Sequence, residues 1–338
     1  MKRIIPIILI MLAIPAFGRA VAGENNWKLV NDKDGIQSYC REIPGSELLE
    51  IKAVMVVDAP IENVGEMIRD IPGYVNWMPY CGKGLVLTGN RDDADIRILL
   101  DLPWPVTDRE VLLNARVTYD LDHGRGFIDM TNQADQYDVF EEGVIRVPVF
   151  KGRYTIEYIT RHKTGIIYQY SLDLAGTLPR PLKNSISTFF LYENLKNLRD
   201  KVNSARYREM GMTSDDRRLC EAILENSDRL DAVVRARLEE FIRDKSFVDW
   251  LSEQVPLYDL ITSEDGRLSE MLLYSGQAES TRLEAVRFVV RKVLESRKAT
   301  PEIIENLMRD EDLIRAIHSG DGQVEPYEVL KAQLEGAV

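Results

Sequence analysis

The residues that could do chemistry in this chain are few, and most of them are tyrosines. Tyr154 and Tyr158 share the parity of Ile156, and Tyr168 and Tyr170 share that of Ile166, Leu172 and Leu174. Side chains alternate across a strand with period 2, so each set is expected on one face of a sheet. On an inner face a tyrosine offers apolar surface with a hydroxyl at its far end. Arg109 has the parity of Val111, Leu113, Ala115 and Val117, which turns a guanidinium toward an apolar face. A buried guanidinium is costly unless paired or given a polar ligand group. Arg109 therefore either sits at a strand mouth, reaching water or a carboxylate such as Asp108, or orients a bound molecule. Catalytic constellations are absent from the reading: no His–carboxylate pair falls on the inner face, and no Ser/His/Asp or Cys/His set can be assembled. His123, His162 and His318 lie far apart, so no metal site is expected. Cys40, Cys81 and Cys220 show no CxxC spacing; they permit one disulfide but not a disulfide framework. No cofactor is expected.

The elements that must hold these residues are short strands at 35–39, 48–57, 95–101, 109–119, 126–132, 153–160 and 166–174. Turn chemistry such as Asp122-His123-Gly124 and Lys163-Thr164-Gly165 separates them, and the short connections predict an antiparallel meander. Two helices interrupt it. One opens at Asp58-Ala59-Pro60, with Asp58 as its cap, and runs to about Asp70. The other runs from near Pro181 to about Tyr207, with Leu191, Leu195, Leu198 and Val202 on one face. A curved sheet wrapped over one long helix can enclose a tunnel. Ile186, Phe189 and Phe190 lie off the helix's main stripe, as a mobile lid or as a further core layer. Trp77 and Trp104 either pack the core and loops or touch a ligand, and Met78 either fills a gap or does the same.

The chain has 338 residues and a net charge of −12, which suggests about two domains and disfavours nucleic acid or polyanionic partners. Transient membrane contact through an apolar patch stays open. Lys2 and Arg3 precede an apolar stretch from Ile4 to Phe17, followed by Ala20-Val21-Ala22 and Gly23. Basic start, short apolar stretch and small-residue site predict a secretory signal peptide over residues 1–22. A retained anchor needs about 20 apolar residues. An exported, periplasmic or extracellular soluble chain is the expectation.

Residues 24–208 resemble the START family, the steroidogenic-acute-regulatory-related lipid-transfer domains, in a bacterial-type form. Four stretches in family order carry the resemblance: Trp27 to Tyr39 with its Asp34-Gly35-Ile36 turn; Val57-Asp58-Ala59-Pro60 leading to Tyr74-Val75-Asn76-Trp77-Met78; Pro103-Trp104-Pro105-Val106-Thr107-Asp108-Arg109-Glu110; and Gly176-Thr177-Leu178-Pro179 with Leu182-Lys183-Asn184. The third is the most specific, a proline-rich turn into a strand bearing an Arg–acid pair. The resemblance implies an α+β helix-grip fold, a cavity closed by the last helix, and one lipid or sterol-like ligand. The wider superfamily includes aromatase/cyclases, so fold alone does not settle activity.

From Thr213 onward strands vanish, and residues 213–335 read as an all-α extension of unknown role and unknown protein partner. Leu283, Val286, Val290, Val293 and Leu294 make one helical face, and Thr300-Pro301-Glu302 opens a helix carrying Ile303, Ile304, Leu307, Ile314 and Ile317. An I-x-S-x-D-G-x-apolar pattern at 261–268 recurs at 317–324. Both copies lack the first carboxylate of a calcium loop, so two Asp-Gly turns are the better reading. The leading expectation is an exported lipid or hydrophobic-ligand carrier, with Arg109, Tyr154, Tyr158, Tyr168, Tyr170, Val111, Leu113, Ile186, Phe189, Phe190, Trp77 and Trp104 as its ligand-binding residues. The alternatives are a cyclase- or hydrolase-type enzyme in the same cavity, and an interaction module acting through the extension.

Overall fold

Ten strands form one sheet in the computed structural model, which describes residues 27–104, 106–138, 142–176, 179–217, 220, 227–275, 279–320, 328–330 and 332. The segment expected as a signal peptide, Pro105, Thr177 and Leu178 lie outside the described residues. The chain divides into two compact units, one of residues 27–120 and 125–217, the other of Leu121–Gly124 and the residues from Arg218 onward.

In the first unit the strands are β1 (Lys28–Lys33), β2 (Ile36–Glu42), β3 (Leu49–Val57), β4 (Cys81–Gly89), β5 (Asp93–Leu100), β6 (Arg109–Asp120), β7 (Arg125–Asn132), β8 (Ile145–Arg146), β9 (Val149–Thr160) and β10 (Lys163–Asp173). Their order is β1-β2-β3-β10-β9-β7-β6-β5-β4, antiparallel throughout, with β8 joined parallel to the start of β6. Sequence reasoning missed β1, β4 and β8. β4 alternates poorly: Gly82, Lys83 and Gly84 open it, and Val86 and Leu87 are exposed. Gly84 is required there, because a Cβ at that position would come within 2.1 Å of the Ile71 carbonyl oxygen. Cys40, Cys81 and Cys220 form no disulfide among the described residues, and all three are half-buried.

Helix α1 (Ile61–Arg69) buries Val64, Met67 and Ile68 on one face. Its cap is Pro60 rather than the expected Asp58, because the Pro60 carbonyl already accepts from the amides of Asn63 and Val64. Helix α2 (Arg180–Lys201) lies on the sheet, and Leu191, Leu195, Leu198 and Val202 are wholly buried, as the stripe predicts. The continuous helix expected to Tyr207 instead breaks after Val202. Ser204 opens a new helix, α3 (Ala205–Thr213), which packs on α1. Tyr207 and Arg206 both bond Asp70 at the end of α1, Arg206 in a two-pronged pair at 2.7 and 2.9 Å. Beyond α3, the carboxylate of Asp216 meets Arg69 and Tyr119. The unit thus extends past the expected boundary at 208.

Apart from the Leu121–Gly124 turn, the elements of the second unit are helices: α4 (Ser227–Phe241), α5 (Lys245–Gln254), α6 (Leu257–Thr262), α7 (Arg267–Ser275), α8 (Glu279–Ser296), α9 (Pro301–Arg309) and α10 (Glu311–Ser319) among the described residues. Leu283, Val286, Val290, Val293 and Leu294 of α8 lie in its core with Phe247, Leu251, Ile314 and Ile317. Thr300 caps α9 through its hydroxyl, and Asp310 restarts the chain as α10 by accepting from the Leu313 amide at 3.0 Å. The first Asp-Gly turn is a 3-10 turn whose Glu264 is held by Lys292 at 2.7 Å and Arg267 at 3.2 Å. The Asp-Gly of its second copy lies outside the described residues.

A chain ending at Arg217 is expected to fold as a cooperative unit. One ending at Arg208 takes Asp216 from Arg69, whose side chain is almost wholly buried and is left with the more distant Glu66 at 3.6 Å and Asp92 at 3.9 Å, and it removes most of α3. Breaking a buried pair costs up to about 3–5 kcal/mol when the charge is left wholly uncompensated. With Glu66 and Asp92 still near Arg69 the expected loss is below that, a drop in Tm of at least several degrees at this size. Calorimetry of the two fragments measures the difference, and equal melting temperatures would refute it.

Candidate functional site

The inner face of the sheet and the first half of α2 enclose a cavity of about 60 Å³. Of the residues expected to bind ligand, Val111, Leu113, Tyr154, Tyr168, Tyr170, Ile186 and Phe190 line it. The alternation that predicted them holds: Val111 pairs with Ile98, Leu113 with Ile96, and Tyr168 with Tyr154 across β10 and β9. The rings of Tyr154 and Tyr168 stack at 3.8 Å between centroids, and Tyr170 stacks on Phe150 at 5.7 Å. Gly152, opposite Tyr170, makes room for that second stack, since a Cβ there would come within 2.9 Å of the Phe150 ring.

Three tyrosine hydroxyls around the cavity are committed. Tyr154 donates to Asn194 Oδ1 at 2.8 Å, Tyr170 to the Ser187 carbonyl oxygen at 2.8 Å, and Tyr74 to that of Ile68 at 2.5 Å. Burial, reinforced by neighbouring phenols, pushes the pKa of Tyr74, Tyr154 and Tyr170 well above that of a free phenol. They hold their protons at neutral pH and act as donors, not bases. Behind Tyr154, Asn194 is fully buried with its Nδ2 unpartnered among the described residues. Turning the amide over would only exchange which of its atoms lacks a partner.

Arg109 points inward, as its parity predicts, but does not line the cavity. It is buried, and its guanidinium is taken up by backbone: Nε donates to the Leu174 carbonyl oxygen at 2.6 Å, and Nη1 to those of Thr107 and Asp108. It straps the start of β6 to the segment from which α2 springs. Its neighbour Glu110 faces the other way and is clasped by Arg97 at 2.5 Å and Arg146 at 2.7 Å.

Phe189 lines a separate apolar groove with Leu102, Pro103 and Val106, on the other flank of Ile186 and Phe190. Trp77 is core: it is buried, packs edge-on against Tyr74 at 5.0 Å, and its carbonyl oxygen accepts from Asn197 at 2.9 Å. Trp104 is 82% exposed on the loop between β5 and β6. Tyr158 keeps the parity of Tyr154, pairing with Thr164 in unbroken register, but it is half-buried and lies beyond the cavity, which reaches Tyr154 and not Ile156 or Tyr158 along β9. Sequence reasoning missed Tyr74, Met130, Val147 and Phe150 as wall residues, and weighed Met78, which lines the cavity, only as a gap filler or a ligand contact. Met130 had a readable signal, its parity with Ile128 on β7. Among the described residues no group of three or more His, Cys, Asp or Glu side chains is placed to hold a metal ion.

The two halves of α2 differ. Leu191, Leu195, Leu198 and Val202 are wholly buried, while Leu182 to Phe190 are half-buried or exposed. The first turn has no side-chain cap and no acidic residue, and Lys183 lies at the positive end of the helix dipole. Ala175 and Gly176, both at positive φ, precede it.

Replacing Arg109 by Leu leaves buried carbonyl oxygens without donors, at about 1–3 kcal/mol each. Thermal melting is expected to drop by several degrees while the class of any copurified lipid stays the same. An unchanged Tm with an altered lipid class would instead place Arg109 at the ligand.

No protein-family model matches the chain. An uncharacterized protein of Pseudomonas aeruginosa is 30% identical over 193 residues, 56% of this chain and 93% of that protein. Among solved structures, human STARD10 superposes with a TM-score of 0.50 at 18% identity, covering 55% of this chain and 77% of that one. A STAR-related lipid transfer protein fragment from Xanthomonas axonopodis gives 0.49 at 24% identity, covering 53% and 99%. The curved antiparallel sheet gripped by α2 is thus the helix-grip architecture. The chain belongs to one family with the Pseudomonas protein, and its first unit folds as a START domain.

Proposed function

We propose that the protein is an exported, non-catalytic carrier that holds one hydrophobic molecule between the sheet and the first half of α2. The observation that carries this reading is the lining of the cavity: apolar side chains, tyrosines and Ser187, with no charged group among them. Such a wall rewards apolar cargo by about 0.8 kcal/mol for each methylene taken from water. At about 60 Å³ the cavity is well below the roughly 300–1,000 Å³ of sites for drug-sized ligands. Cargo therefore enters as the wall yields. The yielding part is the uncapped, half-buried start of α2, while the Leu191–Val202 stripe stays fixed. The tyrosines hold their protons, which suits them to binding rather than to proton abstraction. Trp104, beside the apolar groove of Pro103 and Phe189, supplies a contact for a membrane surface while α2 opens. Export rests on the sequence of residues 1–23.

Native mass spectrometry of the purified protein, after incubation with lipid vesicles, is expected to show one lipid per chain. Val111→Phe, which fills the cavity, should lower that occupancy at least severalfold with little loss of Tm. Overpacking a closed core typically costs 1–3 kcal/mol instead. A chain that takes up no lipid, and that loses stability heavily on this substitution, would show the space to be ordinary core. N-terminal sequencing of the exported protein should begin at Gly23; recovery of intact Met1 in a membrane pellet would remove the export reading.

A further inference from the structure

The charges missing from the cavity stand immediately outside it. A cleft of about 440 Å³ opens between the loop joining β2 to β3, the end of β10 and the first turns of α2. Tyr170, Leu172 and Ser187 wall both spaces, and the hydrogen bond from the Tyr170 hydroxyl to the Ser187 carbonyl oxygen lies on that shared wall. The cleft's charged lining is Glu47, Asp173 and Lys183. Lys183 Nζ sits 3.0 Å from Asp173 Oδ1, and Glu47 is exposed on its loop. Burial raises the Asp173 carboxyl, but the Ala175 amide and Lys183 outweigh it and hold the group below its ordinary range. Asp173 is therefore ionised at neutral pH, and the cleft sets two carboxylates against one ammonium.

An amphiphile whose tail fills the cavity cannot bring an ionised head with it, because those walls offer no charge to meet it. The head must stop at the first place where charge is compensated, and across the shared wall that place is this cleft. Its size falls within the range of ligand sites. Its balance of charge then selects among heads. A head that carries an ammonium group finds Glu47, while its phosphate accepts from Lys183 and from the amide of Asn184, which also lines the cleft. A head that is only anionic meets an excess of carboxylate.

We infer that this cleft is the head-group site of the bound amphiphile, and that it selects a phosphate head bearing an ammonium group over an anionic head on the same tails. The inference rests on the carrier reading, and the test separates the two.

The full mature chain is incubated with vesicles containing equal amounts of phosphatidylethanolamine and phosphatidylglycerol of identical acyl chains. The bound lipids are then weighed by native mass spectrometry. Both lipids share one vesicle, so the mature chain's overall negative charge affects its approach to both alike, and the control variant below changes that charge by the same amount as the test variant. The wild type is expected to favour the ethanolamine lipid by about tenfold. Glu47→Lys reverses the sign of the cleft and should bring the ratio to unity or below, at unchanged total lipid and unchanged Tm. Glu209→Lys, the same change on an exposed residue of α3 outside the cleft, should leave the ratio as in the wild type. Equal uptake of the two lipids by the wild type, or equal shifts in both variants, overturns the head-group site and leaves the carrier standing. Absence of any bound lipid overturns both.

Discussion

The concave face of the sheet is broader than the single helix laid across it. Neighbouring strands are spaced by about 4.8 Å and a helix with its side chains is about 10 Å across, so α2 can seal only a few of the nine strands in the main path. Where leucines meet the sheet at full burial, along Leu191, Leu195 and Leu198, the seal is complete. Toward the start of α2 the contact thins to Ile186 and Phe190, and large aromatic side chains from the strands occupy the space. The cavity and the weak first turn of α2 are consequences of this mismatch. So is the strap from Arg109, which fixes the backbone at Leu174 just before the chain leaves the sheet.

Much of this was legible in the sequence, because one-sided burial writes itself as periodicity. The alternation in 109–119 and 166–174 placed Val111, Leu113, Tyr168 and Tyr170 on the wall, and the i, i+4, i+7, i+11 spacing placed the stripe of α2. What periodicity cannot carry is the identity of a partner far along the chain. The inward direction of Arg109 was readable, but not that its guanidinium would meet the carbonyl of Leu174 rather than a ligand. Tyr158 has the parity of Tyr154, but parity does not say how far along β9 the cavity extends, and it stops short of Ile156 and Tyr158. Trp104 followed from the proline-rich loop, yet its exposure depends on where that loop lies against the sheet. The break after Val202 was invisible for a related reason. Ala205 to Thr213 remain good helix, and only the packing of α3 on α1, with Gly211 pressed against Asn63, requires the turn.

The distribution of polarity around the cavity follows the same economy. Ionised groups are kept on the outer face, as in the Arg97–Glu110–Arg146 cluster, or at the rim, as in Asp173 and Lys183. On the cavity wall, polarity comes from neutral hydroxyls, with Tyr170 anchored to backbone and Tyr154 to the Asn194 amide behind it. A neutral interior can accept apolar molecules of varied shape without first breaking an ion pair; in the proposed carrier the barrier to loading is then the movement of α2.

The unequal halves of α2 also bear on how such a protein can diverge. Substitutions at Leu195 or Leu198 remove fully buried side chains and fall on stability at once. Those from Leu182 to Phe190 touch little that the fold depends on, yet they reshape the wall and the rim. Proteins sit only slightly above the stability they need, so the tolerated mutations gather in this stretch. If the chain is the carrier proposed above, selection can move a lineage from one cargo to another by changing two helical turns, with the rest of the scaffold inherited unchanged.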